Sequence, residues 1–134
     1  MGKFEAAGGS SFVPVVFTNS SQRACFVRAY PGVAAVDESG VQIAQAERTL
    51  GSILGGAKEV STITLAPGQS ASAGVGGVDV PLGDATDCVQ PVGLFVTPPD
   101  TRTSTEVRGE VPPLCGGLTV HPVVAGSSGG HLAN

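Results

Sequence analysis

A chain of 134 residues suits one domain with one core, since domains most often run to roughly 100–150 residues and bury about two thirds of the surface exposed by the unfolded chain. Its 7 Lys and Arg are outnumbered by 11 Asp and Glu and scattered singly from Lys3 to Arg108, and five Phe and one Tyr give no row of stacking platforms, so nucleic acid is excluded as a partner. At 41% apolar and net charge −4 the chain is not of the disordered class, and no apolar run approaches the ~20 residues that span a bilayer.

The start, Met1-Gly2-Lys3-Phe4-Glu5, is too short and polar to be a signal peptide, so an export signal would be one already removed or lying upstream. With 20 Gly and 10 Pro between short Val-rich runs, the chain reads as strands joined by tight turns. Ser11 to Thr18 is the first strand, apolar on both faces, and Asn19-Ser20-Ser21-Gln22 turns out of it. Ala24 to Tyr30 is the second, with Cys25 and Val27 on one face and Phe26, Arg28 and Tyr30 on the other. Pro31-Gly32 bends it, Val33 to Val36 resumes the extended run, and Asp37-Glu38-Ser39-Gly40 is a turn. From Val41 to Leu54, Ile43, Ala46 and Leu50 fall at helical spacing, but Gly51, Gly55 and Gly56 interrupt, which predicts a short helical turn or a mobile loop.

Glu59 to Leu65 alternates, with Ser61, Ile63 and Leu65 toward the core, and Ala66-Pro67-Gly68-Gln69 has the Pro and Gly order of a type II turn. Ser70 to Val80 is small, Gly-broken and polar on one side, as an edge strand would be. Val89 to Thr97 is a strand stopped by Pro98-Pro99-Asp100, Thr103 to Val107 a short edge, and Leu118 to Val124 the last strand, with Pro122 placing it near an edge or bulge. These elements predict an all-β, immunoglobulin-like antiparallel β-sandwich of about seven or eight short strands with at most one short helical turn. The domain is expected over residues 1–125, followed by a flexible Gly/Ser-rich tail over 126–134.

None of the three cysteines forms a Cys-x-x-Cys pair, so zinc-ribbon and thioredoxin readings fail on spacing, leaving three reduced thiols or a disulfide with one odd member. If consecutive strands run antiparallel and Thr103 to Val107 is a true strand, the strands beginning at Cys88 and Cys115 start at the same end of the sandwich and Cys25 at the other. Cys88–Cys115 is then the expected disulfide and Cys25 the unpaired thiol; were the Thr103 segment only a loop, the parity would reverse.

The ordered set Val16-Phe17-Thr18-Asn19, Cys25, Tyr30-Pro31-Gly32-Val33, Asp37 with Gly40, Leu65-Ala66-Pro67-Gly68, Cys88, Leu94-Phe95-Val96 with Pro98-Pro99, and Leu118-Thr119-Val120 before Pro122-Val123 resembles an actinobacterial family of secreted proteins and lipoproteins. That family is catalogued as a domain of unknown function, number 4232, and is well populated in mycobacteria and streptomycetes. The resemblance runs from about Lys3 to Gly126. It implies an exported envelope protein, often lipid-anchored, with no established activity and no catalytic residues to carry over. It also implies a further cysteine before the first strand, which here would precede Lys3 and would leave Cys25 without its partner.

Residues that could carry chemistry are few. His121 sits on the last strand on the side of Thr119 and Val123, and is expected to face solvent or be partly covered; His131 lies in the tail. No Gly-x-Ser-x-Gly elbow accompanies them, and Gly74-Val75-Gly76-Gly77 lacks the Lys-Ser/Thr of a phosphate loop. Asp84 and Asp87 read as a solvated turn, and with Asp79 they make at most a weak calcium site. Asn19-Ser20-Ser21 fits a glycosylation acceptor without meaning in a bacterial chain. No catalytic residue, cofactor or metal is therefore expected. The leading expectation is an extracytoplasmic binding or structural module, a monomer or weak oligomer, meeting a protein or envelope component through Arg28, Tyr30, Pro99 and Arg102. The alternatives are an envelope hydrolase with a pocket near His121, and self-association along the Ser70 to Val80 edge.

Overall fold

The structure, a computed structural model, describes residues 1–2, 4–7, 10–51, 55–78, 88–99, 104–115 and 117–130. The described residues contain no helix. They form twelve short strands: β1 (Glu5–Ala7), β2 (Ser10–Thr18), β3 (Cys25–Arg28), β4 (Gly32–Val36), β5 (Gln42–Gln45), β6 (Glu47–Arg48), β7 (Thr62–Leu65), β8 (Ser70–Val78), β9 (Gly93–Thr97), β10 (Thr105–Arg108), β11 (Leu118–Val120) and β12 (Val124–Ala125). One sheet has the order β1-β2-β8-β11-β6, with β12 also paired to β8; a second has the order β10-β9-β4-β5; β3 and β7 form a two-stranded ribbon. Only β6 and β11 pair in parallel; the other described ladders are antiparallel.

Alternation places Val13 and Val15 of β2, Ala73 and Val75 of β8, and Leu118 and Val120 of β11 on one face of the first sheet. They join Val33 and Ala35 of β4 and Leu94 and Val96 of β9 in a single buried cluster, the filling of a β-sandwich. Each Val so buried stabilises by about 1.5–3 kcal/mol relative to an exposed one.

Two turns form as their residues dictate. Gly68 has φ of 82° at the third position of Ala66-Pro67-Gly68-Gln69, and the Gln69 amide donates to the Ala66 carbonyl at 3.0 Å. In Asp37-Glu38-Ser39-Gly40, the Asp37 carboxylate accepts from the amides of Ser39 and Val41 at 2.9 and 3.0 Å. Between them, β7 buries Leu65 and half-buries Ile63 while Thr62 and Thr64 are exposed.

Several expectations are corrected. Val41 to Leu54 is not a helical turn over its described part: β5 pairs with β4, and β6 crosses to the other sheet to pair with β11. Of the three residues at helical spacing only Ala46 is buried; Ile43 is 37% and Leu50 52% exposed, so they share no apolar face. Ser70 to Val80 is not an edge: over its described part it is the central strand β8, paired with β2 along nine residues and on its other side with β11 and β12. Its glycines are small because neighbouring side chains take the space. A Cβ on Gly74 would overlap the Phe12 ring, and one on Gly77 would lie 2.6 Å from Pro112 Cβ. Over its described part this strand, paired on both sides, offers no free edge for self-association.

The last strand breaks where Pro122 suggests. Val120 opposes Val75 but Val124 opposes Ser72, so four steps on one strand face three on the other, a one-residue bulge at His121-Pro122-Val123. Residues 126–130, expected in a flexible tail, are bonded to the sheet: Gly126 N donates to Ser70 O at 2.9 Å and Gly129 N to Ser72 Oγ at 2.8 Å. Residues 131–134, His131 among them, lie outside the described residues.

Candidate functional site

Asn19, read from the sequence as a turn residue, is a buried junction. Its Nδ2 donates to Leu65 O at 2.9 Å and to Arg23 O at 2.7 Å, while its Oδ1 accepts from Ser21 N at 3.0 Å and Ser21 Oγ at 2.7 Å. Its backbone binds the type II turn as well, accepting from Gly68 N at 2.8 Å and donating to Gln69 O at 2.9 Å. The end of β2 is thus tied to the β7–β8 turn.

The ribbon carries one of the expected surface residues and one that the sequence did not single out. Phe26 pairs with Thr64 and Arg28 with Thr62, on the outward face of β3–β7. Phe26 is 70% exposed, and Arg28 Nη1 donates to Thr62 Oγ1 at 2.9 Å. Tyr30 does not join them. Ala29 has φ of +67°, which breaks the alternation after Arg28, and Tyr30 packs half-buried against the core. Pro99 is buried as well, and so cannot serve as a surface anchor. Arg102 lies outside the described residues, as do Asp79, Asp84 and Asp87. Phe26 was legible only as a member of its face, because strand alternation says which residues share a side and not whether that side is covered.

His121 is not solvated, and this too corrects an expectation. It is 1% exposed, on the outer face of the first sheet, away from the core cluster. On this face it lies beside Phe12, with ring centroids 6.3 Å apart and planes 13° from parallel. Gly56 covers the ring so closely that a Cβ there would sit 2.6 Å from His121 Cγ. Nδ1 lies 3.1 Å from Thr49 O and 3.3 Å from Thr49 Oγ1. A carbonyl can only accept, so the ring proton belongs on Nδ1. Nε2 then holds a lone pair, buried and without a partner among the described residues. Burial lowers the ring's pKa from its ordinary value; hydrogen bonds to the Thr49 and Leu50 backbone oppose this, and the Lys58 charge adds to it. Surface cavities of about 460, 340 and 130 Å³ are lined by residues including Phe4 and Arg108, Ile63 and Val124, and Phe95 and Thr97 respectively, and His121 lines none of these three.

Cys88 and Cys115 form a disulfide with Cα atoms 4.8 Å apart, closing a separation of 27 residues. It extends the antiparallel bridge of Val89 with Leu114, where Leu114 N donates to Val89 O at 2.8 Å. Cys25 is a free, exposed thiol at the start of β3. Among the described residues no cluster of His, Cys, Asp and Glu could hold a metal ion.

The family model for a domain of unknown function, DUF4232, matches residues 1–124. The chain belongs to this family. No curated protein and no solved structure matches it. In this DUF4232 chain most of the motifs that carry the resemblance are strand and turn positions of the fold. Val16-Phe17-Thr18 ends β2, Asn19 is the junction, Leu65-Ala66-Pro67-Gly68 is the turn it binds, and Leu94-Phe95-Val96 and Leu118-Thr119-Val120 lie in β9 and β11. Two DUF4232 motifs 46 residues apart therefore meet in one hydrogen-bonded knot.

Proposed function

We propose that this DUF4232 chain is an exported cell-envelope module of the actinobacterial secreted or lipid-anchored type, which binds a protein partner and catalyses nothing. The observation that carries the reading is Phe26, a large apolar side chain 70% exposed on an outward ribbon face beside Arg28. A protein offering an apolar pocket bordered by carboxylates fits that pair, since aromatic and Arg side chains act as anchors where they can be desolvated together. The Cys88–Cys115 bridge supports an oxidising compartment. A hydrolase working through His121 is the weaker reading, because a general base must reach the proton it removes and this imidazole is 1% exposed.

The test is a photo-crosslinking residue at position 26 in cells, with position 105 on the edge strand β10 as control, combined with fractionation and thiol counting. A discrete adduct from position 26 alone, lost on Arg28→Glu, in an envelope or secreted fraction is the expected result. Equal adducts at both positions, or cytoplasmic protein with three free thiols, would overturn the proposal.

A further inference from the structure

The outer face of the first sheet has a cover of its own. Thr49 N donates to Val120 O at 2.9 Å, Gly51 N to Ala57 O at 2.7 Å, and Gly56 N to Gly130 O at 3.0 Å. Gly129 N reaches Ser72 Oγ at 2.8 Å. Thr49 continues the parallel β6–β11 ladder and Gly126 the β12–β8 ladder. Gly56 packs on the His121 ring, Gly129 on Gly74 and Gly130 on Gly56, so that Gly51, Gly55–Ala57 and Gly129–Gly130 lie against this sheet on the side opposite the core. His121 is the polar side chain at the centre of this layer: Nδ1 holds Thr49 O, one ring face meets Phe12 and the ring lies against Gly56.

We propose that His121 pins this cover and that protonation of its imidazole releases it, so that Gly51, Gly55–Ala57 and Gly129–Gly130 lift from the outer face and uncover Phe12. The second proton must go to Nε2, because Nδ1 already donates to Thr49 O. At Nε2 it would be a buried N–H without an acceptor on a buried cation, which is costly unless the ring reaches water. Among the described residues, the charge that acts on the ring is that of exposed Lys58, which opposes protonation. β2, β8, β11 and Gly126–Gly130 carry no titratable side chain other than His121 itself, Glu5 lies on β1 opposite Phe12, and Glu47, Arg48 and Glu59 are exposed to solvent. Release need not unfold the sandwich, since neither His121 nor Phe12 belongs to the core cluster between the sheets. The lowered pKa of the ring agrees with this geometry.

The experiment is amide hydrogen exchange followed by NMR on the full chain between pH 7.5 and 5, at several low urea concentrations. Opening of the Gly51 and Gly56 amides, corrected for intrinsic exchange, should rise by up to about tenfold per pH unit below His121's ordinary value of 6.5. It should be independent of urea, as local openings are, while the β4–β9 ladder keeps the urea dependence of global unfolding. His121→Asn keeps an N–H donor near the position of Nδ1 but cannot titrate, and there the acid rise should vanish. The proposal is overturned by wild-type opening that is flat with pH, by an acid rise that survives in His121→Asn, or by Gly51 and Gly56 opening with the same urea dependence as the ladder. The wild-type data decide alone if the variant does not fold.

Discussion

Asn19→Ala removes the junction between β2 and the β7–β8 turn without changing the fold's apolar pattern. Four side-chain hydrogen bonds are lost; only the one to Leu65 O is buried, and the other three are partly open to water. An orphaned buried carbonyl costs about 1–3 kcal/mol, and each partly open bond about 0.5–1 kcal/mol, since water replaces the partner. The expected loss is about 2.5–6 kcal/mol, or roughly 10–25 °C in Tm for a domain of this size. Asn19→Asp separates hydrogen bonding from shape, because it turns the Nδ2 donor into an oxygen facing the Arg23 and Leu65 carbonyls. At pH 7 it should be more destabilising than Asn19→Ala, and the gap should narrow on acidification as a protonated carboxyl recovers one donor. The assay is urea unfolding of both variants at pH 7 and pH 4.5 with the disulfide intact. A loss below about 1 kcal/mol for Asn19→Ala would refute the reasoning, as would an Asp variant equal to it at both pH values.

Three further outcomes follow from particular contacts. Because burial lowers the folded-state pKa of His121 below the unfolded value of 6.5, the unfolded chain binds more protons in the window between the two values. The stability due to neutral His121 is therefore complete above that unfolded value and lost as pH falls toward the folded one, at no more than about 1.4 kcal/mol per pH unit; urea midpoints of wild type and His121→Asn should show the slope in the first and not the second. Gly74→Ala drives a methyl into the Phe12 ring and should cost about 1–3 kcal/mol, with Phe12→Leu relieving part of it in a double-mutant cycle; strictly additive losses would refute the contact. Replacing Cys88 and Cys115 by Ser opens a cross-link spanning 27 residues and should lower stability by about 3–4 kcal/mol on the chain-entropy model, read from urea midpoints; an unchanged midpoint would refute it.

How far the candidate site could be read in advance differs from residue to residue. Arg28 and Phe26 share a face because strand side chains alternate, and that was visible in Cys25-Phe26-Val27-Arg28. Tyr30 looked like the third member, but Ala29 takes a positive φ that an Ala does not announce. Alternation assigns His121 to the side of Thr119 and Val123. It shares the outer face with Thr119, but the bulge at Pro122 turns Val123 into the core cluster, and the burial of His121 depends on a cover formed by segments remote in sequence. Cys88–Cys115 is the expected pair and β10 over Thr105–Arg108 is a strand, but the antiparallel bridge of Val89 with Leu114 brings the cysteines together, rather than the starts of two strands, which lie at Gly93 and Leu118.

The amino-acid sequence by itself determined what is local: an all-β chain, the type II turn at Pro67-Gly68, the alternation of Ile63 and Leu65, and the interruption at Pro122. Each depends on φ preferences or on a two-residue period, and both act between near neighbours. Tertiary structure alone decided which strands are central and which sides are covered. The Gly-rich run of β8 looks the same whether its small residues face water or the rings of Phe12 and His121, because a missing side chain does not say what fills its place. Pairing with β2 on one side and with β11 and β12 on the other makes it the middle of a sheet, and the packing of Phe12, Thr49 and Gly56 about His121 makes that residue a buried base.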